Sequence, residues 1–282
     1  MSSTVFSVLA LGLASLARAY DHGSTYYFEE QSLVNHTFYQ PFKSRGGTDS
    51  LKLPVIIWGN GGCDNLGLPY RGFLGEVASH GALIIATGPA FTDPESFVNT
   101  GANPQAMTNA IDWVIENAGT GNYAHVDSSR IAVWGHSCGG LETYAAASHD
   151  DRVSHMGIFN SGYLQVNQTV AEVPKITKPV LYILGGPDDV AYPNGERDYS
   201  NLNSTVPALK LNHNEGHSAG FDSLNAGSTG IAGTRMLQWL LRGNETAKAW
   251  FTDAATGWQA PGSTFTDNVH QNLDKIVVTP IQ

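Results

Sequence analysis

The segment from Ile131 to Gly140 reads Ile-Ala-Val-Trp-Gly-His-Ser-Cys-Gly-Gly, an apolar run that ends in a Gly-x-Ser-x-Gly turn around Ser137. A strand that stops at Gly135 and restarts as a helix must turn a sharp corner, which leaves the serine hydroxyl exposed at the end of a sheet. Glycine is needed at Gly135 and Gly139 because a Cβ there would clash with the neighbouring strand or helix. The segment therefore predicts a strand, a tight turn and a helix.

Apolar runs and helix-like stretches alternate along most of the chain. We predict strands over 26–33, 36–42, 53–58, 83–86, 131–134, 153–159, 179–184 and 206–211, and helices over 68–79, 103–116 and about 234–241. This alternation implies an α/β fold, with a mostly parallel central sheet and helices on both faces. Residues 161–178 are too few for an inserted cap domain, so we expect an open site.

The two ends of the chain differ from this pattern. Residues 5–16 are apolar but too short to span a bilayer, and Ala17-Arg18-Ala19 is a small-x-small cleavage signal. We therefore expect a signal peptide over 1–19 and a single catalytic domain over 20–282, although a buried N-terminal helix is the alternative. Residues 251–282 should pack on the body as an arm that ends in a short strand at 276–279.

Export is also indicated by four Asn-x-Ser/Thr sequons, which are the acceptors of N-glycosylation in secreted proteins. Their asparagines are Asn35, Asn167, Asn203 and Asn244. We expect a secreted, extracellular glycoprotein. The net charge of −10 argues against nucleic acid or an anionic membrane as a partner. We expect a monomer.

An acid and a base follow Ser137 in the chain. The strand over 181–184 ends in Gly185-Gly186-Pro187-Asp188-Asp189, and the next strand is followed by His213 and His217. The order serine, aspartate, histidine is the chain order of the triad on an α/β sheet. Either aspartate could instead cap a helix, and either histidine could be an exposed loop residue. Together with the turn at Ser137, they predict a catalytic triad in which the base activates the hydroxyl.

Negative charge that develops on a substrate carbonyl oxygen requires hydrogen-bond donors. One donor should be the backbone N–H of Cys138, which follows the predicted nucleophile. The other should come from the glycine-rich loop after the 53–58 strand, where Gly61 and Gly62 are the candidates.

The chain has two cysteines, Cys63 and Cys138, and both fall on these two loops. In an oxidising compartment, cysteines that are predicted neighbours should be bridged. They lie 75 positions apart, for which the chain-entropy model gives about 4–5 kcal/mol of stabilisation. The alternative is a free thiol at Cys138 that acts as the nucleophile.

From about 51 to about 251 the chain resembles the α/β-hydrolases, and more narrowly the cap-less polyester hydrolases and cutinase-like enzymes related to dienelactone hydrolases. The resemblance rests on Ala78-Ser79-His80-Gly81, Val126-Asp127-Ser128-Ser129-Arg130, Asp189-Val190-Ala191 followed by Pro193, and Gly216-His217-Ser218. It implies Asp189 rather than Asp188 as the acid and His217 as the base. Two positions depart from the family: Cys138 stands where methionine is usual, and Gly61-Gly62-Cys63 lacks the frequent aromatic residue.

These observations predict a serine hydrolase that cleaves small-molecule or polymeric carboxylic esters through an acyl-enzyme. No metal or organic cofactor is implied, because no ligand cluster has metal spacing. Trp58 and Trp134 should lie in the core, whereas Tyr70, Tyr192 and Trp258 could line a pocket. The alternatives are an amidase or a tailoring hydrolase of a small secreted metabolite, and a catalytically silent binding protein on the same fold.

Overall fold

The computed structural model of the protein describes residues 25–42, 51–90, 101–218, 220–221, 223–253, 257–259 and 263–281. The predicted signal peptide and the cleavage point near Tyr20 lie outside these residues. The strands are β1 Thr25–Glu30, β2 Leu33–Pro41, β3 Leu53–Gly59, β4 Leu83–Thr87, β5 Val126–His136, β6 Val153–Phe159, β7 Val180–Leu184, β8 Ala208–Asn212 and β9 Thr266–Gln271.

The helices connect these strands and cover the sheet. They are α1 Arg71–Ser79, α2 Pro104–Asn117, α3 Cys138–Ala147, α4 Val166–Glu172, α5 Tyr192–Asn201, α6 Gly227–Met236, which continues into a π-helical turn over Leu237–Leu241, and α7 Glu245–Thr252. Short 3-10 turns lie at Gly61–Cys63, Gly121–Tyr123, Val173–Lys175, Leu224–Ala226 and Leu273–Lys275.

The nine described strands form one sheet in the order β1-β2-β4-β3-β5-β6-β7-β8-β9. The six strands from β4 to β8 along this order are parallel, while β1, β2 and β9 pair antiparallel at the two edges. Between β6 and β7 the chain forms only α4 and one 3-10 turn, so no cap is inserted there. This is the α/β-hydrolase fold that was expected, without a cap domain.

Alternate side chains of the central strands enter two separate hydrophobic cores, as the period of two in a strand requires. In β3, Ile56 and Trp58 contribute to one core, whereas Val55 and Ile57 contribute to the other. Helices α1, α6 and α7 cover the first face, and α2 and α3 cover the second. Because both faces are buried, the parallel strands are continuous apolar runs.

The segment after α7, predicted as an arm over 251–282, differs from the predictions in two ways. The strand predicted over 206–211 has a further neighbour that was not predicted, because β9 at Thr266–Gln271 pairs antiparallel with β8. The strand predicted at 276–279 is wrong, since no strand forms there. The side chains of β9 are mostly polar and exposed, as suits an edge strand. Because the strand lacks an apolar pattern, it could not be predicted from the sequence. The arm does pack on the body, with Phe265 and Leu273 buried in the first core.

Candidate active site

The turn between β5 and α3 carries Ser137, whose backbone has φ 52° and ψ −116°. A Cβ on Gly135 would overlap the carbonyl of Gly139, and a Cβ on Gly139 would overlap the carbonyl of Gly59 on β3. The predicted reason for both glycines is confirmed, since helix and strands approach one another at backbone distance. Ser137 N–H also donates to Phe159 O at 3.0 Å, which holds the turn against β6.

Three side chains meet at the carboxyl end of the sheet. His217 Nε2 lies 2.9 Å from Ser137 Oγ, and His217 Nδ1 lies 2.6 Å from Asp189 Oδ1. Ser137 follows β5, Asp189 follows β7 and His217 follows β8, so three strand ends supply the three groups. The hydrogen bonds form an uninterrupted line from hydroxyl to imidazole to carboxylate.

The carboxylate of Asp189 is buried, with 2% of the residue exposed. Burial by itself would raise its pKa, but the hydrogen bond from His217 and those from the amides of Ala191 and Gly185 outweigh burial and lower the pKa. The side chain is thus kept ionised beside the imidazole. Asp188, the alternative acid, is exposed to solvent.

Of the two candidate histidines, His217 is the one that reaches Ser137. His213 is fully buried, with Nε2 3.1 Å from Asn160 Oδ1, and its Nδ1 accepts from the amide of Glu215 at 3.2 Å. Burial lowers the pKa of His213, so its ring is neutral. His213 therefore fixes the start of the loop that carries His217, through Glu215 of that loop and Asn160.

Cys63 and Cys138 form a disulfide, with their Cα atoms 5.1 Å apart. The bond joins the 3-10 turn at Gly61–Cys63 to the first residue of α3, as expected from their places on the two loops. A free thiol at Cys138 is therefore wrong for this structure, because its sulfur is in the disulfide.

The loop after β3 carries the predicted second oxyanion donor and is here called the oxyanion loop (residues 60–63) for that expectation. It is held by several side chains. Trp58 Nε1 donates to Asn60 Oδ1 at 3.0 Å, and Asn60 Nδ2 donates to the carbonyl of Thr87 at 2.7 Å. The amide of Gly61 donates to Tyr70 Oη at 3.0 Å, so this candidate donor is already engaged. Gly62 has φ 69°, a conformation that glycine adopts without strain. On the opposite side, Cys138 begins α3, where the first amides have no acceptor within the helix.

Sequence reasoning did not single out His136, the residue directly before Ser137, whose ring contacts the loop that carries His217. It is 3% exposed, with Nδ1 2.7 Å from Tyr70 Oη and Nε2 2.7 Å from the carbonyl oxygen of His217. Burial lowers the pKa of His136 to about 4, so the ring is neutral at ordinary pH. Asn160 Nδ2 donates to the same His217 carbonyl at 2.7 Å. The only sequence signal was the position of His136 inside the Gly-x-Ser-x-Gly motif.

The aromatic residues singled out from the sequence lie in different surroundings. Trp58 and Trp134 are fully buried, as predicted. Tyr70 packs between Trp58 and Phe221 at the oxyanion loop. The hydroxyl of Tyr192 accepts from Asn212 Nδ2 at 3.2 Å, and Trp258 packs against the first core.

The asparagines of the four sequons are all exposed at the surface. Asn244 also accepts from the amide of Ala247 and so caps α7, while Asn203 accepts from the amide and hydroxyl of Thr205. Within the described ranges, no helix has the length and apolarity that a bilayer span requires. The same described residues contain no group of three or more His, Cys, Asp or Glu side chains that could hold a metal ion.

Comparison with known proteins finds partial similarity to bacterial cutinases, and no family model matches the chain. Cutinase 2 of Thermobifida cellulosilytica is 31% identical over 107 residues, which cover 37% of this chain and 38% of that protein. Cutinase cut1 of Thermobifida fusca has the same identity over the same length, covering 32% of that protein. The match thus spans about a third of the length of these relatives. Together with the fold, this similarity suggests an α/β-hydrolase-like esterase.

Proposed function

We propose that the protein is a secreted serine hydrolase of carboxylic esters. The observation that carries the proposal is the line of hydrogen bonds from Ser137 Oγ through His217 to Asp189, at 2.9 and 2.6 Å. A serine hydroxyl is a weak nucleophile until a neighbouring base accepts its proton, and that base needs an acceptor that orients it. The three groups have the spacing for both tasks.

In the first step, Ser137 Oγ attacks the ester carbonyl carbon while His217 Nε2 accepts the hydroxyl proton. The carboxylate of Asp189 holds the proton on His217 Nδ1, so Nε2 is the basic nitrogen, and it stabilises the imidazolium that forms. Since the pKa of Asp189 is lowered, the carboxylate stays charged during this step.

The negative charge that develops on the carbonyl oxygen is assigned to the amides of Cys138 and Gly62. Gly61 is the alternative second donor, although its amide also donates to the Tyr70 hydroxyl. Cys138 is the first residue of α3, where the helix amides have no acceptor within the helix and the helix dipole favours negative charge. Loss of one such donor in other hydrolases costs about 10²–10³ in turnover.

His217 then donates its proton to the leaving alcohol, and the acyl group remains on Ser137. Water attacks this acyl-enzyme with His217 again as the base, and the acid is released. The proton returns to Ser137 Oγ in the last step. The sequence of steps needs no group beyond the side chains and amides already described.

An apolar acyl or polymeric substrate is supported by three features. The relatives are named cutinases, the fold has no cap between β6 and β7, and apolar side chains are exposed after the carboxyl ends of β6 and β7. Val190 directly follows Asp189, and Leu164 and Val166 follow the end of β6; all three are largely exposed. We further propose a glycosylated single catalytic domain over 20–282 that follows a signal peptide and acts as a monomer.

The test is hydrolysis of p-nitrophenyl esters from acetyl to palmitoyl by the wild type and by Ser137→Ala. We expect the variant to fold normally and to lose at least about 10³-fold in turnover, because removal of a triad member leaves only the oxyanion donors and binding. Ser129→Ala, which alters an exposed serine on β5, is the matched control and should retain wild-type turnover. The chain-length optimum measures the acyl site.

A fluorophosphonate probe followed by peptide mass spectrometry gives a second reading, with label expected on Ser137 alone. Turnover of amides but no ester by the wild type would favour the amidase alternative. If the wild type shows no turnover and takes up no label, the proposal is overturned in favour of a silent binding protein.

A further inference from the structure

Two side-chain donors converge on the main-chain carbonyl oxygen of His217. His136 Nε2 and Asn160 Nδ2 each lie 2.7 Å from this oxygen. His136 belongs to the end of β5 and Asn160 follows β6, so two strands of the sheet hold the loop that carries the proposed base. The other side of the same loop is held by backbone bonds, since Gly216 N–H donates to Gly185 O at 2.9 Å.

The hydrogen-bond partners define the protonation of His136. A carbonyl oxygen only accepts, so Nε2 of His136 carries the proton that it donates to His217. Because the ring is neutral, Nδ1 is then an acceptor, and it receives the hydroxyl proton of Tyr70 at 2.7 Å. The Tyr70 oxygen in turn accepts from the amide of Gly61 at 3.0 Å. The Tyr70 hydroxyl and the His136 ring therefore each accept one hydrogen bond and donate one along this line.

This chain of hydrogen bonds links the oxyanion loop to the base. It runs from the Gly61 amide through the Tyr70 hydroxyl and the His136 ring to the carbonyl of His217. The approach is close, since a Cβ on Gly61 would overlap both Tyr70 Oη and His136 Nδ1. Phe221 packs against two of these hydrogen-bonded groups. Its ring centroid lies 4.6 Å from that of His136 and 5.1 Å from that of Tyr70.

We propose that His136 and Tyr70 are positioning residues, which hold His217 and the oxyanion loop in register with each other, and that Asn160 supports the same carbonyl. This inference rests on the proposed function, because it concerns the geometry of that site. A catalytic base displaced by about 1 Å can lose about 10²-fold in rate while the substrate still binds. The expected signature is therefore a loss of kcat with little change in KM.

Glutamine and asparagine at position 136 separate positioning from simple filling of space. The amide nitrogen of glutamine can take the place of Nε2 and donate to the His217 carbonyl, whereas asparagine reaches only the place of Nδ1. We expect His136→Asn to lose about 10- to 100-fold in kcat with KM within about threefold, and His136→Gln to recover kcat to within about fivefold of wild type. Tyr70→Phe, which removes only the hydroxyl, should lose about 3- to 10-fold in kcat.

His155→Asn is the matched control. His155 is also a buried histidine on the sheet, where Nε2 accepts from Trp134 Nε1 at 3.1 Å, away from the oxyanion loop. This substitution should lower the melting temperature and leave kcat within about twofold of wild type, since it touches no group of the site.

All kinetics use the full-length secreted protein and the p-nitrophenyl ester that the wild type hydrolyses fastest, with melting temperatures recorded for each variant. The proposal is overturned if His136→Asn keeps kcat within twofold of wild type, or if His136→Gln is as impaired as His136→Asn. A wild type that neither hydrolyses esters nor takes up the fluorophosphonate would overturn the proposed function itself, and this reading precedes the comparison of variants.

Discussion

The turn at Ser137 and the oxyanion loop face each other across the proposed site, but they are held in different ways. The turn is held by close backbone contacts with its neighbours, because Gly135 and Gly139 allow β3, β5 and α3 to approach without side chains between them. The oxyanion loop is held by side-chain contacts with the rest of the molecule: Asn60 donates to the carbonyl of Thr87, the Gly61 amide donates to Tyr70, and Cys63 is bonded to Cys138. A turn packed backbone against backbone tolerates almost no added side chain, whereas a loop held by separate side-chain contacts should weaken in steps as each contact is removed.

The largest effect is expected from Gly139→Ala, which breaks the turn. The new Cβ would overlap the carbonyl of Gly59, a backbone group at the end of the buried strand β3 that cannot move aside. We expect a loss of at least about 4–5 kcal/mol in the free energy of unfolding, which for a chain of this size lowers the melting temperature by roughly 10 °C or more.

Thermal denaturation monitored by circular dichroism measures the melting temperature of each variant. Ala145→Gly, at an exposed position of the same helix, is the control and should cost about 1 kcal/mol. If Gly139→Ala melts as Ala145→Gly does, the turn is not held by backbone contact.

Removal of the disulfide should be the next largest effect, and it acts on the oxyanion loop. The bond closes 75 positions, so Cys63→Ser with Cys138→Ser should lose about 4–5 kcal/mol of stability through the greater freedom of the unfolded chain. A reducing agent should lower the melting temperature of the wild type and leave that of the double variant unchanged. If the reducing agent leaves the melting temperature of the wild type unchanged, this prediction is wrong.

The stability of the contact between the two regions should depend on pH through His136. Its pKa is about 4 in the folded protein against 6.5 in an unfolded chain, because burial disfavours the charged ring. As the pH falls below about 6.5, the unfolded chain binds a proton that the folded protein does not, so stability falls until about pH 4 and then levels off. The contribution of this residue is about 3 kcal/mol over that window.

Denaturant unfolding at several pH values between 7 and 4 tests this, with His136→Gln as the comparison. The buried His155 changes stability in the same direction, with its pKa lowered to about 3 by burial, but it is present in both proteins. The variant should therefore show a shallower loss of stability. Parallel curves for the two proteins would show that His136 does not titrate with unfolding.

The smallest effect should separate the two neighbouring glycines of the oxyanion loop. Gly61→Ala places a Cβ against Tyr70 and His136, whose side chains can shift, so we expect a loss of about 1–3 kcal/mol. Gly62→Ala has open space and only the strain of a positive φ, about 1 kcal/mol. Melting temperatures should fall further for Gly61→Ala, and the reverse order would mean that Tyr70 does not pack against Gly61.

Much of the fold could be predicted because its signals are local. The central strands are apolar runs buried on both faces, and β6 begins and ends where it was predicted, at Val153–Phe159. Strand β5 begins earlier than predicted, at Val126, because its first residues are polar. Strand β9 was missed for the same reason, since its residues are mostly exposed and it forms only by pairing with β8.

The pieces of the candidate site were visible in the sequence, but the connections among them were not. The order of Ser137, Asp189 and His217 could be read from strand ends, whereas Asp188 and His213 stayed open from the residues alone until the structure placed each side chain. The hydrogen bonds of His136 to Tyr70 and to His217 join residues 66 and 81 positions apart. No local pattern predicts them.

The sequence by itself indicated the strand, turn and helix at Ser137 and the two loops that carry the cysteines, because an apolar run that ends in glycines at fixed places is a local pattern. The tertiary structure alone decided which histidine meets the serine, which carboxylate meets that histidine, and that the Gly61 amide donates to the Tyr70 hydroxyl. These choices depend on directional contacts between side chains and distant backbone groups. Such contacts are set only when whole strands and helices have packed.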